Sequence, residues 1–341
     1  MSTTYLKKPS PYTVSLIVLL PLTLIICFTF LLPLSAYLRN PLAATAVATT
    51  TTSACIDTTA DRVVRAAPAA TVDDGDGVGN NQRPADELMS VLVGVHTMPG
   101  KHSRRHLIRM AYALQQQATP ALRAAAARVD VRFVLCARPM PPEHRAFVAL
   151  EARAYGDVLV LDCAENAEEG KTYTYFASLP AMLGSGSGGG GRPYDYVMKV
   201  DDDTFLRLDA LVDTLRSAPR EDMYCGVGLP FHDREFPPFM LGMGYLLSWD
   251  LVEWIATSDM VRREAKGVED LTTGKWLNMG HKAKNRVNIF PRMYDYKSAK
   301  AEDFLENTIG VHQLKQDLRW AHTLEHFNLT RLEPSRKLHN F

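Results

Sequence analysis

Four short and nearly continuous apolar runs dominate the chain after residue 88. They are SVLVGVH at 90–96, VRFVLC at 131–136, DVLVLD at 157–162 and DYVMKV at 195–200. Apolar runs of this length, without polar alternation, are typical of strands that are buried on both faces. Because helical patterns lie between the runs, the sequence predicts an α/β fold with a doubly wound, mostly parallel sheet.

Two of the intervening segments have helical periodicity. SRRHLIRMAYALQQQ at 103–117 places Leu107, Ala111 and Leu114 on one stripe, as expected for a helix that packs on a sheet. PPEHRAFVALEARAYG at 141–156 ends on a glycine, which is typical of the residue that follows a helix. Both patterns support the alternation of strands and helices.

A charge-free segment near the N-terminus has an apolar centre of 21 residues at 14–34. At about 1.5 Å per residue, such a helix is long enough to cross a bilayer core. Lysines precede it, so the N-terminus is expected on the cytoplasmic side. A cleaved signal peptide is the alternative, but its apolar region is usually only about 7 to 15 residues. The predicted organisation is a cytoplasmic tail at 1–13, a transmembrane signal anchor at 14–34, a flexible stem at 35–88 and a globular domain at 89–341.

Composition narrows the partners that the domain would bind. Lysine plus arginine and aspartate plus glutamate both total 38, so no overall positive field favours nucleic acid. Four cysteines follow the predicted anchor in a compartment that permits disulfides, and their spacing fits no zinc site: Cys55, Cys136, Cys163 and Cys225. Asn328 begins the sequon NLT, a glycosylation acceptor if this part of the chain is lumenal.

Three consecutive aspartates, Asp201, Asp202 and Asp203, follow the fourth predicted strand. The carboxyl ends of strands are where open α/β sheets bind ligands. Since side chains alternate along an extended chain, Asp201 and Asp203 are expected on one side, as a site for Mn²⁺ or Mg²⁺. An acidic turn that caps the next helix is the structural alternative, but it accounts for one aspartate better than for three.

Five sequence blocks follow one another along the chain: VLVGVHTMPGKHSRRHLIRMAY, YGDVLVLDCAENAEEGKTYTYF, YDYVMKVDDDTFLRLDALV, FPPFMLGMGYLLSWDLVEWI and GVEDLTTGKWLNMG. In this order they resemble glycosyltransferase family 31, the β-1,3-galactosyltransferase and N-acetylglucosaminyltransferase group. The resemblance implies a GT-A fold, a Mn²⁺ cofactor and an inverting transfer from UDP-galactose or UDP-N-acetylglucosamine. The acceptor would be a glycan or glycoprotein hydroxyl, the linkage β-1,3, and the protein a single-pass type II Golgi membrane enzyme with a lumenal catalytic domain.

The same resemblance assigns roles to individual residues. Asp201, Asp203 and His312 would bind the metal, and Asp270 would be the general base with Glu269 as its neighbour and fallback. The expected donor-binding residues are Thr97, Arg105, Arg109, Asp201, Asp202, Gly242 and Gly244.

Structural alternatives remain open for several of these residues. The two arginines have helical spacing and could instead pair with acidic neighbours. Glu269 and Asp270 also suit the first turn of a helix.

Cys136 and Cys163 end strands that are neighbours in the implied fold, so a disulfide between them is plausible.

Two other functions use the same residues. A metal-dependent phosphohydrolase would need the aspartate cluster equally. A non-catalytic carbohydrate-binding relative would keep the fold without turnover.

Overall fold

A seven-stranded sheet forms the centre of the structure, a computed structural model that describes residues 89–118, 127–184, 192–297 and 304–330. The strands are β1 (Met89–His96), β2 (Ala127–Arg138), β3 (Val158–Ala164), β4 (Tyr196–Asp201), β5 (Phe205–Leu206), β6 (Met223–Leu229), β7 (Phe239–Ser248), β8 (Asn285–Asn288), β9 (Met293–Asp295) and β10 (Gly310–His312). The large sheet has the order β3-β2-β1-β4-β7-β6-β8, and a small sheet has the order β5-β10-β9.

Strand direction confirms the predicted α/β class with a mostly parallel sheet. β2, β1 and β4 are parallel neighbours, as are β2 with β3 and β6 with β8. β7 is antiparallel to both β4 and β6, so it alone runs against the rest of the large sheet. The sheet is therefore mixed, and the carboxyl ends of β1 and β4 lie side by side with His96 opposite Asp201.

Helices cover both faces of the sheet. They are α1 (His102–Ala118), α2 (Pro142–Tyr155), α3 (Lys171–Leu183), α4 (Leu208–Leu215), α5 (Trp249–Thr257), α6 (Asp259–Arg263), α7 (Glu269–Met279) and α8 (Asp317–His326), with a short 3-10 helix at Ala167–Glu169. As the sequence predicted, α2 ends at Gly156, whose φ of 65° suits a residue without a Cβ.

The core explains why the strand sequences lack polar alternation. Val91, Val93 and Val95 of β1 pack with apolar residues of α1, α4 and α8 on one face. Leu92, on the opposite face of the same strand, packs with residues of α3, α5 and α7. Since both faces are covered, the central positions of the strand are all apolar or small.

Residues 1–88, which include the predicted tail, anchor and stem, lie outside the described residues. The glycine-rich segment SGSGGGG at 185–191 also lies outside them. In the part of the chain that the structure describes, no helix combines the length and the hydropathy that a membrane span requires. The anchor and the domain boundaries therefore stay predictions.

Candidate functional site

Three side chains from distant parts of the sequence converge at the carboxyl edge of the sheet. Ligand atoms of Asp201, Asp203 and His312 all lie within 4.8 Å of one another. β4 ends at Asp201, and β10 brings His312 beside it through pairing with β5 and β9. His312 Nε2 is 3.3 Å from Asp203 Oδ1, and Nδ1 is 2.7 Å from Asp295 Oδ1.

Electrostatics in this group favours opposite charges. Burial lowers the pKa of His312, but hydrogen bonds to Asp203 and Asp295 outweigh it and raise the pKa above its ordinary value. Burial raises the pKa of Asp203, but the hydrogen bond with His312 outweighs it and lowers the pKa. One imidazole nitrogen and two carboxylates form a donor set that suits Mn²⁺ or Mg²⁺. These three residues could therefore hold a metal ion.

Asp202 points away from the other two aspartates. It accepts hydrogen bonds from Thr97 Oγ1 at 2.7 Å and from Lys101 Nζ at 2.9 Å. Thr97 follows β1, so this buried contact ties the aspartate turn to the end of the neighbouring strand. Asp202 thus fixes the turn, while Asp201 and Asp203 remain on the side of His312.

A cavity of about 340 Å³ opens beside the aspartates. Its lining includes His96 and Thr97 from the end of β1, Lys171 and Thr172 from the start of α3, and Glu269 from the start of α7. Burial and two nearby lysines hold the pKa of His96 well below its ordinary value, so this imidazole is neutral. The cavity offers hydrogen-bonding groups from three elements.

A second cavity of about 460 Å³ shares Lys101, Asp202 and Asp203 with the first. Arg104 and Lys315 also line it. Positive side chains therefore lie in the same cavity as Asp203, one of the three residues that could hold a metal ion.

Lys199 is a site residue that sequence reasoning missed. Its side chain is 4% exposed, and Nζ lies 2.9 Å from both Asp201 Oδ1 and Glu269 Oε2. Burial lowers its pKa, but the two carboxylates outweigh burial and raise the pKa, so the ammonium stays charged. Glu269 also accepts a hydrogen bond from Tyr245. The sequence feature that could have identified it is the lysine within the otherwise apolar run YVMKV.

Asp270 and Gly242 lie next to this network. Asp270 accepts hydrogen bonds from the backbone amides of Gly242 at 3.1 Å and Leu271 at 2.8 Å. A Cβ at Gly242 would be 3.1 Å from Glu269 Oε2 and 3.6 Å from Asp270 Oδ2, so the missing side chain gives the carboxylates room. The backbone at Gly242 therefore lies close to these carboxylates, and its expected contact with the donor stays a prediction.

Gly244, the second glycine of this segment, lies against buried methionine side chains. A Cβ there would be 2.7 Å from Met293 Cε and 3.0 Å from Met198 Cε, both buried methionines. The glycine permits core packing between β7 and its neighbours. The expected contact of Gly244 with the donor stays a prediction.

Arg105 and Arg109 are both paired with acidic side chains. Arg105 is fully buried and donates to both carboxylate oxygens of Glu151 on α2. Arg109 pairs with Glu151 and Asp157 and lies 4.0 Å from the centroid of the Tyr155 ring. Both arginines are thus paired with acidic neighbours, the alternative that their spacing left open, and a nucleotide contact would have to compete with these pairs.

A disulfide and an ion pair lie at the wall of the first cavity, which Glu165 and Lys171 line. Cys136 and Cys163 are bonded across β2 and β3, as the neighbouring strand ends suggested. The backbone amide of Cys136 donates to Glu165 Oε2 at 2.7 Å, and Glu165 pairs with the buried Lys171. Lys171 Nζ also donates to the carbonyl oxygen of Thr97 at 2.6 Å. Glu165 and Lys171 were not predicted as site residues, since their proximity depends on how β1, β3 and α3 pack.

Comparisons with known proteins add an independent line of evidence. The galactosyltransferase family model matches residues 103–229. Mouse beta-1,3-galactosyltransferase 6 is 29% identical over an alignment of 211 residues, covering 57% of this chain and 61% of the relative. The beta-1,3-galactosyltransferase pvg3 of Schizosaccharomyces pombe is 27% identical over 239 residues, covering 55% of this chain and 62% of the relative. The chain thus spans about three fifths of the length of these two relatives.

Solved structures show only a distant likeness. The galactosyltransferase LgtC, solved as an active-site mutant, has a TM-score of 0.39 at 13% identity, covering 72% of this chain and 98% of that one. GlyE of Streptococcus pneumoniae TIGR4 has a TM-score of 0.37 at 12% identity, covering 73% and 66%. Such scores assign neither fold nor substrate. The family model and the two β-1,3-galactosyltransferase relatives confirm the resemblance that the ordered motifs predicted.

Proposed function

We propose that the protein is an inverting, metal-dependent glycosyltransferase that moves galactose or N-acetylglucosamine from its UDP donor to a glycan or glycoprotein hydroxyl, in β-1,3 linkage. The observation that carries this proposal is the convergence of Asp201, Asp203 and His312 beside a cavity that Glu269 also lines. The match to the galactosyltransferase family model supports the sugar transfer, and the residues of the site support the metal and the nucleotide. A GT-A arrangement and a place in the Golgi membrane, with the anchor at 14–34 and the domain lumenal, belong to the same proposal.

Asp201, Asp203 and His312 would bind Mn²⁺, with Mg²⁺ as the other candidate. The bound ion would act as a Lewis acid that stabilises negative charge on the departing diphosphate. The second cavity provides Lys101, Arg104 and Lys315 near the same aspartates, and these replace Arg105 and Arg109 as candidates to bind the phosphates. Thr97 would keep the aspartate turn in place through Asp202.

Asp270 is the proposed general base. Glu269 is held in an ion pair with the buried Lys199 and also accepts a hydrogen bond from Tyr245. Asp270 instead accepts backbone amides, and its carboxylate can still take a proton. It would remove the proton of the acceptor hydroxyl as that oxygen attacks the anomeric carbon, and the bond from this carbon to the diphosphate oxygen breaks with its electrons leaving on UDP.

The test is a screen of the purified full-length chain in detergent against UDP-sugars, with Mn²⁺ and a set of glycan acceptors. We expect transfer from UDP-galactose or UDP-N-acetylglucosamine, and its loss in Asp203→Asn and Asp270→Asn. Asp213→Asn is the matched control, because Asp213 is exposed and pairs with Arg216 at the end of α4. Release of UMP and sugar 1-phosphate with no glycosylated product would indicate the phosphohydrolase, because that enzyme breaks the bond between the two phosphates. Binding of Mn²⁺ and donor without turnover would indicate the non-catalytic relative.

A further inference from the structure

Lys199 occupies an unusual position for a lysine. It lies within the central strand β4, between Gly94 of β1 and Tyr245 of β7, and its side chain is almost fully buried. Burying an ammonium group costs free energy unless it is paired and hydrogen-bonded. The chain therefore retains this cation where an apolar residue would continue the strand pattern.

The bonds of Lys199 account for all of its hydrogen-bonding capacity. A lysine ammonium has three N–H donors and no acceptor. Nζ has three oxygen partners, which are Asp201 Oδ1 at 2.9 Å, Glu269 Oε2 at 2.9 Å and the carbonyl oxygen of Gly242 at 2.5 Å. With its donors used in this way, Lys199 is placed to fix other groups and not to bind a phosphate.

The three partners belong to different parts of the site. Asp201 is one of the three residues that could hold the metal, and Glu269 begins α7 next to Asp270. The third partner, Gly242, donates its own amide to Asp270 Oδ2 at 3.1 Å. One ammonium thus connects the metal group on β4 with both carboxylates of α7. Without it, the carboxylates of Asp201 and Glu269 would lose the cation that lies 2.9 Å from each of them.

We propose that Lys199 is a positioning residue that holds Asp201 and the start of α7 in a single arrangement, so that metal binding and proton acceptance are assembled together. This inference rests on the proposed function for the role of Asp270 as general base. The effect of Lys199 on Mn²⁺ affinity is measurable without sugar transfer. Groups that orient metal ligands from behind typically change metal affinity by about 10 to 100-fold when they are removed.

The experiment measures Mn²⁺ affinity by titration calorimetry, thermal unfolding and transfer kinetics on the purified full-length chain. Lys199→Met is expected to weaken Mn²⁺ binding by about 10 to 100-fold and to lower kcat more than it changes the KM for the donor. Lys199→Arg keeps the charge, but its planar fork directs N–H groups differently, so it should restore only part of the affinity. Lys275→Met is the matched control, because Lys275 lies on α7 and forms an exposed pair with Glu264.

A double variant separates positioning from simple stabilisation. Lys199→Met with Glu269→Gln removes the unpaired charge on Glu269, so thermal stability should return while Mn²⁺ affinity stays low. Wild-type affinity in either Met variant would overturn the proposal, and if neither folds, wild-type affinity in Lys199→Arg would do so. Mn²⁺ binding by a wild-type chain that transfers no sugar would defeat the proposed function alone. A wild-type chain that binds no Mn²⁺ would defeat both.

Discussion

Arg105 and Glu151 form a two-point ion pair inside the protein, with Nε 2.9 Å from Oε2 and Nη2 2.7 Å from Oε1. The same guanidinium donates to the carbonyl oxygens of Met98 at 2.6 Å and Pro99 at 3.0 Å. Those residues belong to the loop that follows β1, and Met98 lines the cavity beside the aspartates. The pair therefore joins α1, α2 and the loop on which part of the site depends.

Replacing Glu151 with glutamine should destabilise the fold. The change leaves the buried Arg105 without a carboxylate, and loss of one partner of a buried pair typically costs about 3 to 5 kcal/mol. Thermal unfolding of the full-length chain measures it. Glu143→Gln is the control, because Glu143 is exposed in the first turn of the same helix and should change stability by less than about 0.5 kcal/mol.

The same pair predicts a pH dependence. Burial raises the pKa of Glu151, but hydrogen bonds and charge from Arg105 and Arg109 outweigh burial and lower the pKa below its ordinary value. A carboxylate with a lowered pKa contributes stability above its unfolded pKa and loses it as pH falls through the folded pKa. Unfolding scans below about pH 4 should therefore show a smaller further loss in Glu151→Gln than in the wild type. Parallel pH profiles for the two proteins would contradict this account.

Removing the disulfide should loosen both the fold and the cavity wall. Cys136 and Cys163 are separated by 27 residues, and closing a loop of this length is worth about 3 kcal/mol in the chain-entropy view. Cys136→Ser with Cys163→Ser should lower the unfolding temperature. Because the amide of Cys136 donates to Glu165, which pairs with Lys171, the double variant should also raise the KM for the donor. Cys225→Ser is the comparison, a buried cysteine that carries no disulfide, and an unchanged donor KM in the double variant would contradict the second effect.

Much of the scaffold was predictable, because local sequence decides it. The four apolar runs gave β1 to β4 with small shifts at their ends, and three aspartates after a buried run marked the ligand edge of the sheet. Burial along α1 was not predictable from spacing alone. Leu114 was expected on the packed stripe but is 45% exposed, whereas Arg105 is fully buried. Glu151, which stabilises the buried guanidinium, lies on another helix.

The parts of the site that the sequence did not reveal depend on contacts between distant segments. In the sequence, Lys199 only interrupts an apolar strand pattern. Its partners Glu269 on α7 and Gly242 on β7 are distant in sequence and come close to it only in the folded chain. Gly244 shares a motif with Gly242, yet one lies against carboxylates and the other against methionines. A motif specifies which residues are present, but not what surrounds each one.

His312 should contribute to metal affinity through a defined tautomer. With a metal bound, donation from Nδ1–H to Asp295 would leave the lone pair of Nε2 for the ion, in place of the Nε2–H hydrogen bond to Asp203. His312→Ala should weaken Mn²⁺ binding strongly, and Asp295→Asn should weaken it by about 10-fold, since it alters only the orienting bond. Calorimetric titration compares both with Asp213→Asn. Equal Mn²⁺ affinity in His312→Ala and the wild type would remove His312 from the ligand set.

The proposed lumenal orientation predicts a modification at Asn328. Asn328 and Thr330 of the sequon are both exposed, and Asn328 follows the C-terminal end of α8 with a φ of 55°. Expression in microsomes should give a form whose mobility increases after treatment with an endoglycosidase, and Asn328→Gln should abolish that shift. Thr330→Ser, which keeps the sequon, is the control. An unmodified chain that is accessible to protease outside the vesicles would contradict the lumenal orientation.

Gly274 should be essential to the placement of α7. A Cβ at this position would lie 2.4 Å from Phe239 Cβ and 2.6 Å from the carbonyl oxygen of Pro238, at the start of β7. Helix propensity alone would favour alanine by about 1 kcal/mol, but neither neighbour is the flexible end of a side chain, so the helix itself must move. Gly274→Ala should therefore lower stability by about 1 to 3 kcal/mol, as overpacking does, and displace Glu269 and Asp270 at the start of α7. Lys275→Ala, the next residue on the exposed side, should leave kcat unchanged, and a Gly274→Ala protein with wild-type stability and kcat would show that α7 tolerates the shift.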